Sequence, residues 1–389
     1  MPWGDQGVTN VRKLLDQSAV VNLWGANQAR VQLNKLQTSG YIRRLKLWLP
    51  PTTFTGTIGT GAIAPQGSAQ LPPFRSLANF FFKMQGIAAL YDVTGYSLYW
   101  LQYVGNGRKK RTTAFNNRYN MTNPTQGAYN GGAAVANYNN AIAVAGNNPT
   151  LTLAFDLPLT EEITFKDVSI PQANNSVAVV AEKTVEVGLI TNQNVTSNIN
   201  IGVLLNPLYS TATDAPVQVT GNAVASGPAT FYLSAEAYDV PDNIADRPLA
   251  LAQSFVITRS EQRVAFNGGA ATIRFDSAGK LMTVGILCFD VNNNLVDVST
   301  TPLALLQFLW GNTVHKIDQY VFEMLKDLSD TRDLPVPQGM LGFDFYEDGS
   351  YTDFIDTDDL TNIRCLVSGL TGVDHVIVVE ERLIGVKVG

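Results

Sequence analysis

A chain of 389 residues is too long for one hydrophobic core and fits two or three domains. Charged residues make up 15 % of it, below the roughly one quarter of an average soluble domain, which suits a β-rich protein with much surface buried against partners. A formal net charge of −6 excludes a global nucleic-acid footprint, because sequence-independent binding rests on neutralising phosphates with Lys and Arg.

Residues 1–40 predict an N-terminal helical arm. Val11, Leu14, Leu15, Ser18 and Ala19 fall at helical spacing, with a break near Gly25 and with Arg12, Lys13, Arg30 and Lys35 among the polar positions. The stretch lacks the charged and apolar regions of a secretory signal, and nowhere is there an uncharged apolar run of about 20 residues, so neither standard secretion nor a membrane-spanning helix is expected.

Residues 41–240 predict a first β-domain. In "YIRRLKLWLPP", Leu45, Leu47 and Leu49 alternate with Arg44, Lys46 and Trp48, the period of a half-buried strand, and Pro50 with Pro51 should end it or push it to an edge. "IAALYDVTGYSLYWLQYV" reads as an aromatic hairpin turning at Asp92 to Gly95. Phe115 to Thr150 is rich in Asn, Gly and Ala and reads as a long excursion between strands, after which "TLTLAFDLPL", "ITFKDVSI", "VAVVAEKTVEVGLIT", "INIGVLLNPL" and "TFYLSAEAYDV" resume the strand pattern.

Two prolines and a charge cluster punctuate "DVPDNIADRPLA", placing a linker at 241–248 ahead of a second β-domain over 249–389. Strand patterns recur there in "SFVITRSEQRVAF", "ATIRFDS", "KLMTVGILCFDV" and "NLVDVST". They break at "TVHKIDQYVFEMLKDL", where Val314, Ile317, Val321, Leu325 and Leu328 share one face of a helix. Pro335 and Pro337 stop that helix, and Gly339 permits a turn into a strand carrying Leu341, Phe343 and Phe345. Two runs of short strands, each with a helical excursion, point to two antiparallel sandwiches, with the eight-stranded jelly roll as the best fit.

No motif announces catalysis, and no cofactor is implied. Cys288 and Cys365 sit in apolar runs as reduced, buried thiols. His315 and His375 belong to no hydrolase or metalloprotease pattern. The acidic stretch from Asp344 to Asp359 does not fit an EF-hand and reads as a solvated loop. "GTGAIA" has the letters of a dinucleotide loop without the helix that loop needs. Arg108, Lys109, Lys110 and Arg111 form a basic cluster suited to an inter-subunit contact.

The order of features resembles the double jelly-roll major capsid proteins of tectiviruses and related membrane-containing phages. "FRSLANFFFKMQGIAALYDVTGYSLYWLQYVGNGR" resembles that family's early helix and aromatic hairpin, "LTLAFDLPL" its strand after a long loop, and "KTVEVGLITNQN" with "ATFYLSAEAYDVPD" the close of its first barrel. "FEMLKDLSDTRDLPVPQGMLGFDFYEDGS" and "HVIVVEERLI" resemble its closing helix, proline-glycine turn and final strand.

The resemblance implies an all-β chain of two consecutive eight-stranded jelly rolls that trimerises into pseudo-hexagonal capsomers, which tile an icosahedral shell over an internal membrane. It implies no enzymatic activity and no specific nucleic acid, with neighbouring capsomers and minor capsid proteins as partners. It places the N-terminal arm at the capsomer base, where Arg12, Lys13, Arg30 and Lys35 would meet anionic headgroups or acidic neighbours, each basic residue contributing roughly 1 kcal/mol near such a surface. On that expectation, deleting residues 1–38 leaves soluble trimers that no longer form shells. Two other readings remain open at this level. One is a minor vertex or spike protein of the same virion type; the other is a two-sandwich carbohydrate-binding or carbohydrate-active protein with Trp48, Trp100 or Trp310 as stacking platforms and calcium in the acidic loop.

Overall fold

A computed structural model describes residues 9–22, 29–32, 41–53, 55–57, 63–65, 77–84, 89–109, 150–167, 181–188, 190–191, 199–206, 209–210, 217–219, 224–226, 228–239, 255–311, 315–332, 336–346, 349–358, 360 and 362–385. The linker at 241–248, most of the Asn/Gly/Ala-rich excursion, Lys35, Lys110, Arg111 and Pro335 lie outside the described residues.

The first half runs β1 (Thr9–Asn22), β2 (Ala29–Gln32), β3 (Tyr41–Thr53), β4 (Leu77–Met84), β5 (Tyr91–Val93), α1 (Gly95–Lys109), β6 (Thr150–Pro158), β7 (Glu161–Asp167), β8 (Ala181–Val187), β9 (Ile199–Leu205) and β10 (Pro228–Asp239). The second runs β11 (Phe255–Ala265), β12 (Ala270–Arg274), β13 (Lys280–Phe289), β14 (Leu305–Trp310), β15 (His315–Tyr320), α2 (Val321–Arg332), β16 (Met340–Asp344), β17 (Arg364–Ser368) and β18 (His375–Gly385).

Strand order makes each half a jelly roll. The first has the sheets β1-β10-β3-β6 and β2-β9-β4-β5; the second has β11-β18-β13-β16 and β12-β17-β14-β15. The two orders coincide position by position, and in both the helix falls between the fifth and sixth strands. The hairpin β7–β8 is an addition to the first roll.

The N-terminal helical arm is therefore corrected, since Thr9–Asn22 and Ala29–Gln32 supply the first two strands of the first roll. β1 lies antiparallel to β10 from Thr9 opposite Asp239 to Asn22 opposite Pro228. A bulge between Leu14 and Ser18 breaks the strand's alternation, so apolar residues recur at intervals that imitate a helix.

Other expectations change for related reasons. The aromatic hairpin is strand β5 followed by helix α1, whose Leu98, Tyr99, Trp100, Tyr103 and Val104 are all buried, leaving no one-sided stripe to betray a helix. His315–Tyr320 is strand rather than the start of the second helix, with alternate exposure along Lys316 to Tyr320. "NLVDVST" holds a 3-10 turn at Val298–Thr300 capped by Asp297 instead of a strand. Pro50 and Pro51 do not end β3; they sit in its register shift against β6, where the bulge frees them from the ladder. "GTGAIA" ends in a short strand, Ile63–Pro65, and not in a helix.

The proline-glycine approach to β16 behaves as its residues dictate. Helix α2 ends at Arg332, Gly339 turns at φ +73°, and Leu341 and Phe343 enter the core on β16. β13, "KLMTVGILCF", is buried almost throughout, as befits a strand covered on both faces.

Trp100 of α1 lies over Gly285 of β13 and Gly342 of β16, which are directly paired across the ladder. A Cβ at Gly285 would stand 2.3 Å from the indole Nε1, and one at Gly342 would stand 2.5 Å from Cζ2. Two glycines thus make the flat floor on which a helix of the first roll rests against the second. Tyr103 Oη adds a buried hydrogen bond, 3.1 Å, to the Leu328 carbonyl of α2.

Because β1 and β2 are strands of the first roll, each paired along its length with a partner strand, deleting residues 1–38 is expected to give aggregated or protease-sensitive protein instead of folded trimers. Limited proteolysis and size-exclusion chromatography of the truncated chain check this; a sharp, resistant, folded species would show that the two strands are dispensable.

Candidate functional site

The two rolls meet edge to edge. β5 pairs in parallel with β11, Tyr91 opposite Arg259 and Asp92 opposite Ser260, and the Arg259 N–H donates to the Leu90 carbonyl at 2.9 Å. The pairing joins β2-β9-β4-β5 to β11-β18-β13-β16 in one sheet, to which the short strand Ile355–Asp356 adds a ninth member.

Arg259 is 1 % exposed at the centre of this seam. Its Nε donates to Glu381 Oε1 of β18 at 2.9 Å, while Nη2 makes ion-pair contacts with the same oxygen at 2.8 Å and with Glu161 Oε1, contributed by the first roll, at 3.8 Å. The guanidinium also stands 4.9 Å from the centroid of the Tyr91 ring, whose hydroxyl donates to the Pro158 carbonyl. A buried cation shared between carboxylates of both rolls stabilises their union less by net energy than by penalising its loss, since removing one partner strands a charge in low dielectric.

Two residues further along β11, Glu261 reaches the start of α1. Its Oε2 accepts from the Thr94 N–H at 2.8 Å and the Thr94 hydroxyl at 3.0 Å, and also from the Ser97 hydroxyl. A carboxylate of the second roll therefore caps a helix of the first, at the positive end of its dipole. Burial pushes the Glu261 carboxyl above its ordinary range, a shift that the hydrogen bonds from Ser97 and Thr94 oppose.

The acidic loop after β16 forms a second bridge. Thr164 of β7 donates to the Gly349 carbonyl at 2.8 Å, Tyr351 N–H returns to the Thr164 carbonyl at 2.9 Å, and the Tyr346 hydroxyl donates to the Glu162 carbonyl. Phe165, Phe255 and Tyr351 pack together beside it. The described carboxylates are engaged locally: Asp356 takes Lys280 Nζ at 2.5 Å, and Asp358 accepts from Gly279 N–H at 2.5 Å. Among the described residues no group of three or more metal-ligating side chains occurs.

The remaining residues singled out by sequence are dispersed. Arg12 and Lys13 lie on β1 opposite Glu236 and Ala235, whereas exposed Arg30 lies on β2 in the other sheet of the roll. Arg108 and Lys109 occupy the C-terminal end of α1. Trp100 is fully buried, which removes it as a sugar platform; Trp310 is partly buried, 5.9 Å from Phe308, and the Trp48 side chain lies outside the described residues. His375 is buried and stacked 5.3 Å from Phe289, and the Cys288 and Cys365 thiols are free and pushed up by burial to about 12. Neither Arg259 nor Glu261 carries a sequence signal beyond being a charge within a strand, since their partners lie far away along the chain.

No protein-family model matches the sequence, and no characterised protein aligns with it significantly. Solved structures do share the fold over nearly the whole chain. The STIV MCP superposes with a TM-score of 0.61 at 13 % identity, covering 97 % of each chain. A chain from the atomic structure of Sulfolobus Turreted Icosahedral Virus gives 0.60 at 13 %, covering 96 % of this chain and 90 % of that one. The major capsid protein P2 from Bacteriophage PM2 gives 0.50 at 11 %, covering 98 % and 100 %. At such identities the likeness establishes the fold, a double jelly roll.

Replacing Arg259 with Met should destabilise the protein by about 3–5 kcal/mol, because Glu381 stays buried without its cation; an unchanged urea midpoint would refute the seam's importance. Glu261 also sets a pH dependence. Its folded carboxyl binds a proton more readily than the unfolded one, so its stabilising contribution is full below the ordinary value of 4.5 and is lost as pH rises through the higher folded value. Glu261→Gln should flatten the melting temperature against pH just above 4.5 relative to wild type, and identical profiles would remove Glu261 as the cause.

Proposed function

We propose that the chain is the major capsid protein of a virion, acting by assembly and not by turnover. The observation that carries this reading is the union of two jelly rolls of matching topology in one continuous sheet, a fold shared along nearly the full chain with viral capsid proteins. A protein made this way presents two similar lobes in fixed relation, which suits a subunit that must pack laterally with copies of itself.

In this reading three copies form a capsomer with six lobes and a pseudo-hexagonal outline, and capsomers tile an icosahedral shell over an internal membrane, assembled in the host cytoplasm with minor proteins at special positions. Arg30, exposed on β2, and the basic end of α1 at Arg108 and Lys109 serve as contacts with acidic neighbours or headgroups. The low proportion of charged residues fits extensive burial between subunits.

Light scattering coupled to size exclusion tests the oligomer at two concentrations. A concentration-independent mass near three times 42.2 kDa is expected, with closed shells in electron micrographs of concentrated samples. A stable monomer that never forms particles would reject the capsomer.

A further inference from the structure

The seam inside the chain is a union of two particular edges, the fifth strand of one roll with the first strand of the next. The chain also carries the complementary edges of a second such seam. Among the described residues, β15, the fifth strand of the second roll, pairs only with β14, and β1, the first strand of the first roll, pairs only with β10. A free strand edge invites pairing with another chain unless something covers it. We propose that β15 of one copy pairs in parallel with β1 of the next, repeating between chains the union that β5 and β11 make within one; this rests on the capsomer reading and gives it a specific contact.

Equivalent residues can be assigned from the topology. The residue before the helix is Thr94 in the first roll and Tyr320 in the second, so Tyr91 and Asp92 on β5 correspond to Ile317 and Asp318 on β15. On the receiving edge, Arg259 stands opposite Glu381 within the second roll, and Arg12 stands opposite Glu236 within the first. Arg12 and Lys13 thus correspond to Arg259 and Ser260. The within-chain pairs Tyr91 to Arg259 and Asp92 to Ser260 become Ile317 to Arg12 and Asp318 to Lys13 between copies.

Three observations favour a second copy as the occupant. The derived register sets Asp318, exposed and already paired with Lys316 of its own strand at 2.8 Å, at the position opposite Lys13, so opposite charges share that pair, and burial alternates alike, with Asp92 and Asp318 both exposed. The surface beside β15 is apolar: Leu303, Tyr320 and Phe322 are 73, 43 and 48 % exposed, with the last two rings stacked at 6.1 Å. In the equivalent place within the chain Glu261 caps α1, and its counterpart on β1 is Leu14, an apolar residue suited to that apolar surface. The contact is head to tail, so it closes into a ring or runs on as a filament according to the rotation per subunit.

Charge exchange and cross-linking test the assignment on the full-length chain. Asp318→Lys and Lys13→Asp should each raise the concentration at half-assembly by about tenfold or more, and the double exchange should restore it. Neighbouring parallel strands lie about 4.8 Å apart, within the Cα range of a disulfide, so Asp318→Cys with Lys13→Cys should yield an oxidised ladder ending at three chains, while either cysteine alone should not. Trimers indifferent to both exchanges and without a ladder overturn this inference and leave the capsomer standing. A wild-type protein that is monomeric throughout overturns both.

Discussion

The structure depends on an arginine held where no water reaches it. Arg259 links β11 to Glu381 in its own roll while facing Glu161 and the ring of Tyr91 from the other. Desolvating a guanidinium is tolerable only when carboxylates and a polarisable face surround it, so the ionic cluster forms once both rolls are folded and correctly registered. The parallel pairing of β5 with β11 brings no more than a few backbone hydrogen bonds; the cluster makes that one register, and no slipped alternative, the stable one.

Around this point, helix α1 acts as a brace. Its N-terminus is capped by Glu261, its centre lies on the Gly285–Gly342 floor through Trp100, and Tyr103 bonds to α2. The bridge between Thr164 and the 349–351 segment ties the opposite margin. Contacts spread over so much of the boundary resist hinge motion and hold the two rolls at a fixed angle. The STIV and PM2 proteins share the fold without appreciable sequence identity. Such divergence is intelligible because burial pattern and topology, not particular side chains, specify a fold.

Much of this was legible in the sequence where alternation is clean. β3, with Leu45 and Leu47 inward and Arg44 and Lys46 outward, and the apolar β13 follow from their residues, as does the turn at Gly339. β1 was illegible because its bulge gives the apolar residues a helical interval, and α1 because aromatic residues buried on every side mimic a strand. β15 ran into α2 without a Gly or Pro to separate them. The seam was beyond reach: Tyr91, Glu161, Arg259 and Glu381 span nearly three hundred positions, and no local pattern states that they meet.

In each roll the strand made last is inserted near the middle of a sheet. β10 lies between β1 and β3, and β18 lies between β11 and β13. During synthesis the early strands of a roll therefore wait, their inner edges open, until more than a hundred later residues have left the ribosome, and neither roll can close progressively from its start. Each roll therefore folds late in its own synthesis and all at once, the first when Pro228–Asp239 has emerged and the second when His375–Gly385 has. The seam between them, which needs both β5 and β11 in place, can only be completed in the last stage of synthesis.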